Sequence, residues 1–226
     1  MKSILIVVAH PDDEVLGCGG TIAKWSDKGV DVHVAFLSEG ISSRDGEVDS
    51  EELAVRRHAA RNACNILGVK DIFFGEFPDN RMDTVALLDV VKIVESLIEQ
   101  YHPDTIFTHH AGDLNIDHQR THEAVVTACR PQAGHSVRTL LFFENPSSTE
   151  WQTPGSGNIF EPNWFEDISA TLHLKLQALN VYDMEVRDWP HPRSCKGAEH
   201  LARWSGATVG VPAAEAFMLG RNLDCL

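Results

Sequence analysis

Ile4-Leu5-Ile6-Val7-Val8-Ala9-His10-Pro11-Asp12-Asp13-Glu14-Val15-Leu16-Gly17-Cys18-Gly19-Gly20 passes from one structural period to another. Ile4 to Val8 is an apolar, β-branched run, too short for a helix and typical of a strand buried on both faces. After the glycines a helical pattern runs through Ile22, Ala23 and Trp25. Between the two lies a tight turn that carries one imidazole and two adjacent carboxylates. It sits at the carboxyl end of a strand, where open α/β sheets place their ligands. Such groups are costly there unless a cation or a substrate compensates their charge. The turn is therefore expected to hold a metal.

Outward from this turn the chain alternates. The first helix stops near Lys28-Gly29, and Val30 to Leu37 reads as a second strand. A polar loop is expected over 41–49, then a helix from Ser50 to about Leu67-Gly68 and a third strand within Lys70 to Phe77. Thr84 to about Tyr101 carries a broad apolar stripe at helical period, through Val85, Leu88, Val91, Val94 and Leu97. Thr105 to Thr108 is a fourth strand, His118 to Cys129 a fourth helix, and Thr139 to Phe143 a fifth strand. Strands alternating with helices imply a Rossmann-like, doubly wound, mostly parallel sheet with helices on both faces. The remaining third is less regular: a loop from Asn145 to Pro162, an apolar stretch at Trp164-Phe165, a helix over Ala170 to Val186, the turn Trp189-Pro-His-Pro-Arg-Ser194, another helix to Trp204, and an apolar end at Phe217-Met218-Leu219. No repeat or linker divides it, so residues 1–226 read as a single domain.

The formal net charge is −14, from 33 acidic and 19 basic residues. That sign disfavours nucleic acid or an anionic membrane surface as partner. Five scattered cysteines with no paired spacing fit a reducing compartment and read as small buried hydrophobes. No run approaches the length of a membrane span or resembles a secretory leader, so a cytoplasmic enzyme is expected.

A second polar cluster, His109-His110-Ala111-Gly112-Asp113-Leu114-Asn115-Ile116-Asp117-His118, follows the fourth strand. If the sheet order is 3-2-1-4-5, the first and fourth strands are neighbours and the two clusters face each other across one crevice. Two imidazoles and a carboxylate then complete a three-ligand set, which leaves zinc an open position for water. Zinc brings such a water to a pKa of about 7, and a carboxylate beside it can move the proton. Neighbouring carboxylates on a turn cannot point the same way, so Asp12 and Asp13 are expected to divide these tasks. The competing assignment is that both cap the first helix.

Ala9-His10-Pro11-Asp12-Asp13-Glu14 and Asn115-Ile116-Asp117-His118 resemble the two motifs of the LmbE-like, or PIG-L, zinc-dependent N-acetylglucosaminyl deacetylases. The resemblance extends to Arg56 to Val69, Phe77-Pro78-Asp79 and the run after Pro190. It implies an LmbE-like fold and hydrolytic removal of the N-acetyl group from an N-acetylglucosamine-type sugar or conjugate. It implies one Zn2+ per chain, or another divalent metal, on His10, Asp13 and His118, with Asp12 as general base and then general acid. Arg56 and Asp79 would contact the sugar. The family often carries a histidine where this chain has Asn115, paired to the aspartate that is here Asp117; Asn115 cannot titrate, so His110 or His191 would substitute, or Asp12 would carry all the proton traffic. Asn115 could still orient Asp117 or hydrogen-bond the substrate.

The oxyanion partner is open, with His191 and Arg193 as candidates in a turn that two prolines are expected to hold extended. Ser147-Ser148-Thr149-Glu150 offers hydroxyls to a sugar or simply a capped loop. Soluble relatives suggest a homo-oligomer, trimer or hexamer, acting on a small N-acetylated amino sugar. Two other classes compete. A dinucleotide binder is disfavoured because Gly17-Cys18-Gly19-Gly20 lacks the G-x-G-x-x-G spacing. A catalytically silent sugar- or nucleotide-binding protein of the same fold would not need Asp12.

Overall fold

A computed structural model describes residues 1–40, 50–155 and 157–224; the polar loop expected over 41–49, and Cys225, lie outside the described residues. Strands β1 (Ser3–Val8), β2 (Asp31–Ser38), β3 (Asp71–Phe77), β4 (Thr105–His109) and β5 (Thr139–Phe143) run parallel in the order β3-β2-β1-β4-β5. The sheet then continues through two strands absent from the sequence reading. The apolar stretch at 164–165 is β6 (Trp164–Asp167) and the chain's apolar end is β7 (Ala214–Asn222). β7 pairs antiparallel with both β5 and β6, giving β5-β7-β6 at that edge.

Because successive side chains of a strand face opposite sides, β1 feeds two cores. Ile4, Ile6 and Val8 pack with Val15 and Ile22 of α1 (Asp13–Asp27), Ala60 of α2 (Ser50–Leu67), Leu179 of α5 (Leu172–Leu179) and Ala198 of α6 (Cys195–Val209). Leu5 and Val7 pack on the other side with Val91 and Val94 of α3 (Leu87–Tyr101) and Ala124 of α4 (Ile116–Ala128).

Several boundaries shift. A 3-10 turn at Met82–Thr84 takes the start expected for α3, and α6 continues past Trp204. The helix expected over 170–186 stops at Leu179 and gives way to turns, with the Tyr182 N–H bonding Leu179 O and the Glu185 N–H bonding Tyr182 O. Asn180, Val181 and Asp183 are weak helix formers, and the turn they permit carries Tyr182 inward, 2% exposed.

α1 kinks at Cys18 (φ −149°), and a buried ion pair satisfies the freed backbone groups. Lys175 Nζ donates to Leu16 O at 2.8 Å and to Glu215 Oε1 at 2.6 Å, while Glu215 accepts the N–H groups of Gly20 and Thr21 at 2.9 and 2.7 Å. Cys18, Cys64 and Cys129 are buried, Cys195 is partly exposed, and these four are free thiols.

Candidate metal centre

β1 and β4 are parallel neighbours, with Val7 opposite Thr108, so the loops leaving their carboxyl ends share one crevice. His109 Nε2 accepts the Ala9 N–H at 3.0 Å and ties the loops together. Asp12 has φ 109°, a left-handed conformation that costs a non-glycine residue about 1–3 kcal/mol and persists only when its surroundings enforce it. Its carboxylate makes no capping bond to α1; Oδ2 instead lies 3.3 Å from Arg193 Nη1. The helix-capping assignment therefore fails for Asp12. Asp13 Oδ2 accepts the His10 N–H at 2.8 Å, and its Oδ1 accepts from Asn145 Nδ2 at 2.6 Å. On the facing loop Asn115 is the N-cap of α4, its Oδ1 accepting the N–H groups of Asp117 at 2.8 Å and His118 at 3.4 Å. The cap starts α4 at Ile116, earlier than expected, and sets His118 on its first turn.

His10, Asp13 and His118 each offer a ligand atom, the three atoms lying within 4.8 Å of one another, and all three residues are buried. His10 Nδ1 and His118 Nε2 stand 3.4 and 3.3 Å from Asp13 Oδ2. Both ring nitrogens of His118, Nε2 on the Asp13 side included, are buried without a well-directed hydrogen-bond partner, and such orphans call for an explanation. Two nitrogens, one oxygen and an orphaned imidazole atom fit a divalent cation of the zinc kind.

His10, Asp79 and Asp117 form a second convergent set. Asp117, however, already accepts the N–H groups of Asn80 at 2.7 Å and Met82 at 2.9 Å, besides lying 3.0 Å from His10 Nε2. With Asp79 Oδ1 3.1 Å from the same nitrogen, the two carboxylates orient His10 and leave its Nδ1 on the Asp13 side. Metal-binding histidines commonly present their other nitrogen to such a carboxylate. His118 follows the same rule, its Nδ1 lying 3.1 Å from Asp113 Oδ1.

The charges point the same way. Burial opposes ionisation of Asp13, yet His118 and His109 beside it hold its carboxyl well below the usual range. Burial also disfavours a charged His118, but Asp13 and Asp113 raise it to about 9. His10 is likewise raised against burial by Asp117, Asp13 and Asp79. The carboxylates thus favour positive charge at this point. Asp12 differs: burial pushes it up to about 7, against the pull of Arg193.

A cavity of about 150 Å³ opens on this cluster, its walls including His10, Asp12, Arg56, Asp79, Asn115 and Arg193. The Arg56 guanidinium pairs with Glu185, and Gly40, at φ 75°, leaves it room: a Cβ there would stand 2.7 Å from Arg56 Nη1. Three of the expected contact residues do not line the cavity. Asp117 is wholly buried behind His10. His110 turns to Asn158 O at 3.0 Å and the Phe160 ring. His191 packs edge-on to Trp151, and its turn is two tight turns rather than extended chain, the His191 N–H bonding Asp188 O and the Ser194 N–H bonding His191 O. Ser148 and Thr149 give their hydroxyls to Asp113. The larger cavity of about 360 Å³ beside the 144–160 loop includes none of His10, Asp12, Asp13 and His118.

Sequence reasoning missed Asp113, Asn145, Glu14, Tyr182 and Glu185. Asp113 and Glu14 stood inside the quoted clusters and could have been weighed. Asn145 and the 182–185 turn carry no local signal, because only the fold brings them in. Glu14 accepts the Asp12 N–H on Oε2 at 3.0 Å and the Tyr182 hydroxyl on Oε1 at 2.5 Å; burial pushes its carboxyl up to about 8.

The family model described as PIG-L, GlcNAc-PI de-N-acetylase, matches residues 5–129. A diacetylchitobiose deacetylase of Thermococcus kodakarensis is 32% identical over 200 residues, covering 82% of this chain and 70% of its own. A probable N-acetyl-alpha-D-glucosaminyl L-malate deacetylase of Bacillus cereus is 30% identical over 190 residues, covering 80% and 82%. Among solved structures, the 4-carboxy-2-hydroxymuconate hydratase GalB of Pseudomonas putida superposes with a TM-score of 0.76 at 22% identity, covering 100% of both chains. That likeness concerns the fold alone, and a fold does not fix a reaction.

Proposed function

The chain belongs to the PIG-L family, and from that premise we propose that it is a metal-dependent deacetylase hydrolysing the N-acetyl group of an N-acetylglucosamine-type sugar or conjugate. The observation that carries the reading is the meeting of His10 and Asp13 with His118, more than a hundred residues away, beside a second carboxylate, Asp12, that none of them needs for support. The relatives named above support the substrate class.

In this reading His10, Asp13 and His118 hold one divalent cation, zinc by the chemistry of the donor set. When bound, that cation supplies Lewis acidity, polarising the amide carbonyl and acidifying water. Asp12 takes the proton of the attacking water on its carboxylate and returns it to the departing nitrogen, yielding acetate and a free amine. Arg193, 3.3 Å from Asp12, orients that carboxylate and favours its ionised form before attack. Asn115 is engaged as a helix cap and has no titratable proton, so the proton traffic falls on Asp12. Arg56, Asp79 and Asn80 offer the polar wall that sugar hydroxyls require.

The whole chain acting as one catalytic domain belongs to this reading, supported by a single sheet that includes both β1 and β7. So does self-association as a trimer or hexamer, for which Trp204 and Val209, both exposed on α6, are suitable contacts. Among the described residues no helix is long and apolar enough to cross a membrane, and a small polar substrate in the cytoplasm suits the cavity. The test is acetate release from a panel of N-acetylated amino sugars by zinc-loaded protein. Asp12→Ala should bind zinc and lose turnover; normal turnover in that variant would remove Asp12 from the chemistry.

A further inference from the structure

Asp12 is held in an unusual backbone conformation, and the residues holding it lead to the turn that follows α5. Its φ of 109° belongs to a region that side-chain-bearing residues rarely occupy. Three contacts fix it. Its C=O accepts the N–H groups of Val15 and Leu16 at 3.1 and 2.9 Å. Its own N–H donates to Glu14 Oε2 at 3.0 Å. Its carboxylate meets Arg193. Any helix start offers the first of these. The second depends on the Glu14 side chain turning back toward the preceding residues, and Glu14 is wholly buried. What fixes Glu14 is the Tyr182 hydroxyl, which donates to its other oxygen at 2.5 Å. Tyr182 is itself buried, in the turn that replaces the expected end of α5. Three residues further on, Glu185 pairs with Arg56 and lies 3.7 Å from Arg193, the cation on the Asp12 carboxylate.

We propose that Tyr182, acting through Glu14, is a positioning residue for the base: it locks the Asp12 backbone in the left-handed conformation that puts its carboxylate on the cavity wall. One short turn thereby acts on Asp12 from both ends, Tyr182 on the backbone through Glu14 and Glu185 on the carboxylate through Arg193. Tyr182 spends its hydroxyl on Glu14 and does not line the cavity that would take the sugar. Its removal should therefore spare metal and substrate binding and cost the proton-transfer step alone. The inference rests on the reading of Asp12 as the base.

The test compares Tyr182→Phe, Glu14→Leu and Glu14→Gln in the zinc-loaded enzyme. Glu14→Leu removes the acceptor, and misplacement of the base should lower kcat by about 10²-fold with KM and zinc stoichiometry unchanged. Tyr182→Phe, which deletes a single oxygen, should lower kcat in the same direction with the same split. Glu14→Gln keeps a carbonyl to accept the Asp12 N–H and an amide N–H that donates to the Tyr182 oxygen, the reverse of the native bond, so it should restore most of the rate lost in Glu14→Leu. Unchanged kcat in both Tyr182→Phe and Glu14→Leu would overturn the proposal. So would parallel loss of zinc, KM and kcat in Tyr182→Phe, which would mark Tyr182 as general scaffold. If the wild-type protein released no acetate from any sugar tested, the deacetylase reading would fail by itself. Crystal structures would then decide the positioning claim separately: Asp12 should leave the left-handed region in Glu14→Leu, and a retained positive φ would refute it.

Discussion

Asp113→Asn is the perturbation that best separates a metal centre from a buried polar cluster. Asp113 is wholly buried. It takes hydroxyls from Ser148 and Thr149 and the N–H of Asn115, and lies 3.1 Å from His118 Nδ1. An amide fills the same volume but carries no charge to favour a proton on that nitrogen, so His118 loses its orienting, basicity-raising partner. Loss of such a partner typically weakens metal affinity by about 10–100-fold, equivalent to about 1.4–2.8 kcal/mol. Competition with a chelator of known affinity should show that decrease. At saturating zinc, acetate release should recover most of the wild-type rate, because Asp113 touches neither water nor substrate in this account. Zinc affinity within about twofold of wild type would refute the assignment of His118 as a ligand supported from behind by Asp113.

Zinc binding should strengthen as pH rises. Asp13 and Asp113 raise His118 to about 9, and His10 is raised as well, so near neutrality the cation must displace protons from these ligands; isothermal titration should show proton release there and affinity rising with pH, and a flat profile would count against the imidazole ligands. Lys175→Met should strand the Glu215 carboxylate in the kink of α1, where both partners are 4% exposed. Breaking such a buried pair costs about 3–5 kcal/mol, measurable by denaturant unfolding, and a loss below about 1 kcal/mol would show that Glu215 does not depend on Lys175.

The first half of the chain was the more legible because its signals are local. Ile4 to Val8 reads as a buried central strand, and the alternation of strands and helices implies a parallel sheet; the order β3-β2-β1-β4-β5, only a condition in the sequence reading, comes from the structure. That order is what brings His10 and His118 together. The antiparallel edge was hidden because β7 breaks the alternation: Ala214-Glu215-Ala216 offers little apolar side chain to signal a strand, and Glu215 is buried by an ion pair instead. Asn115 was weighed for the proton it cannot supply, whereas its oxygen caps the helix that carries His118. Asn145 reaches Asp13 from the far side of the site, 132 residues along the chain, and nothing near it in sequence announces that contact. His110, offered as a substitute for the histidine absent at position 115, turns instead to Asn158 O and the Phe160 ring, a direction that no local pattern encodes.

The central claim is that one divalent cation sits on His10, Asp13 and His118. A crystal structure of the zinc-loaded protein, with data collected at the zinc absorption edge, tests it most directly. The account predicts one anomalous peak about 2.0–2.2 Å from a nitrogen of each imidazole and from an Asp13 oxygen, with Asp12 beside it but not bound to it. A peak seated between Asp79 and Asp117 instead, or no peak near His118, would contradict it.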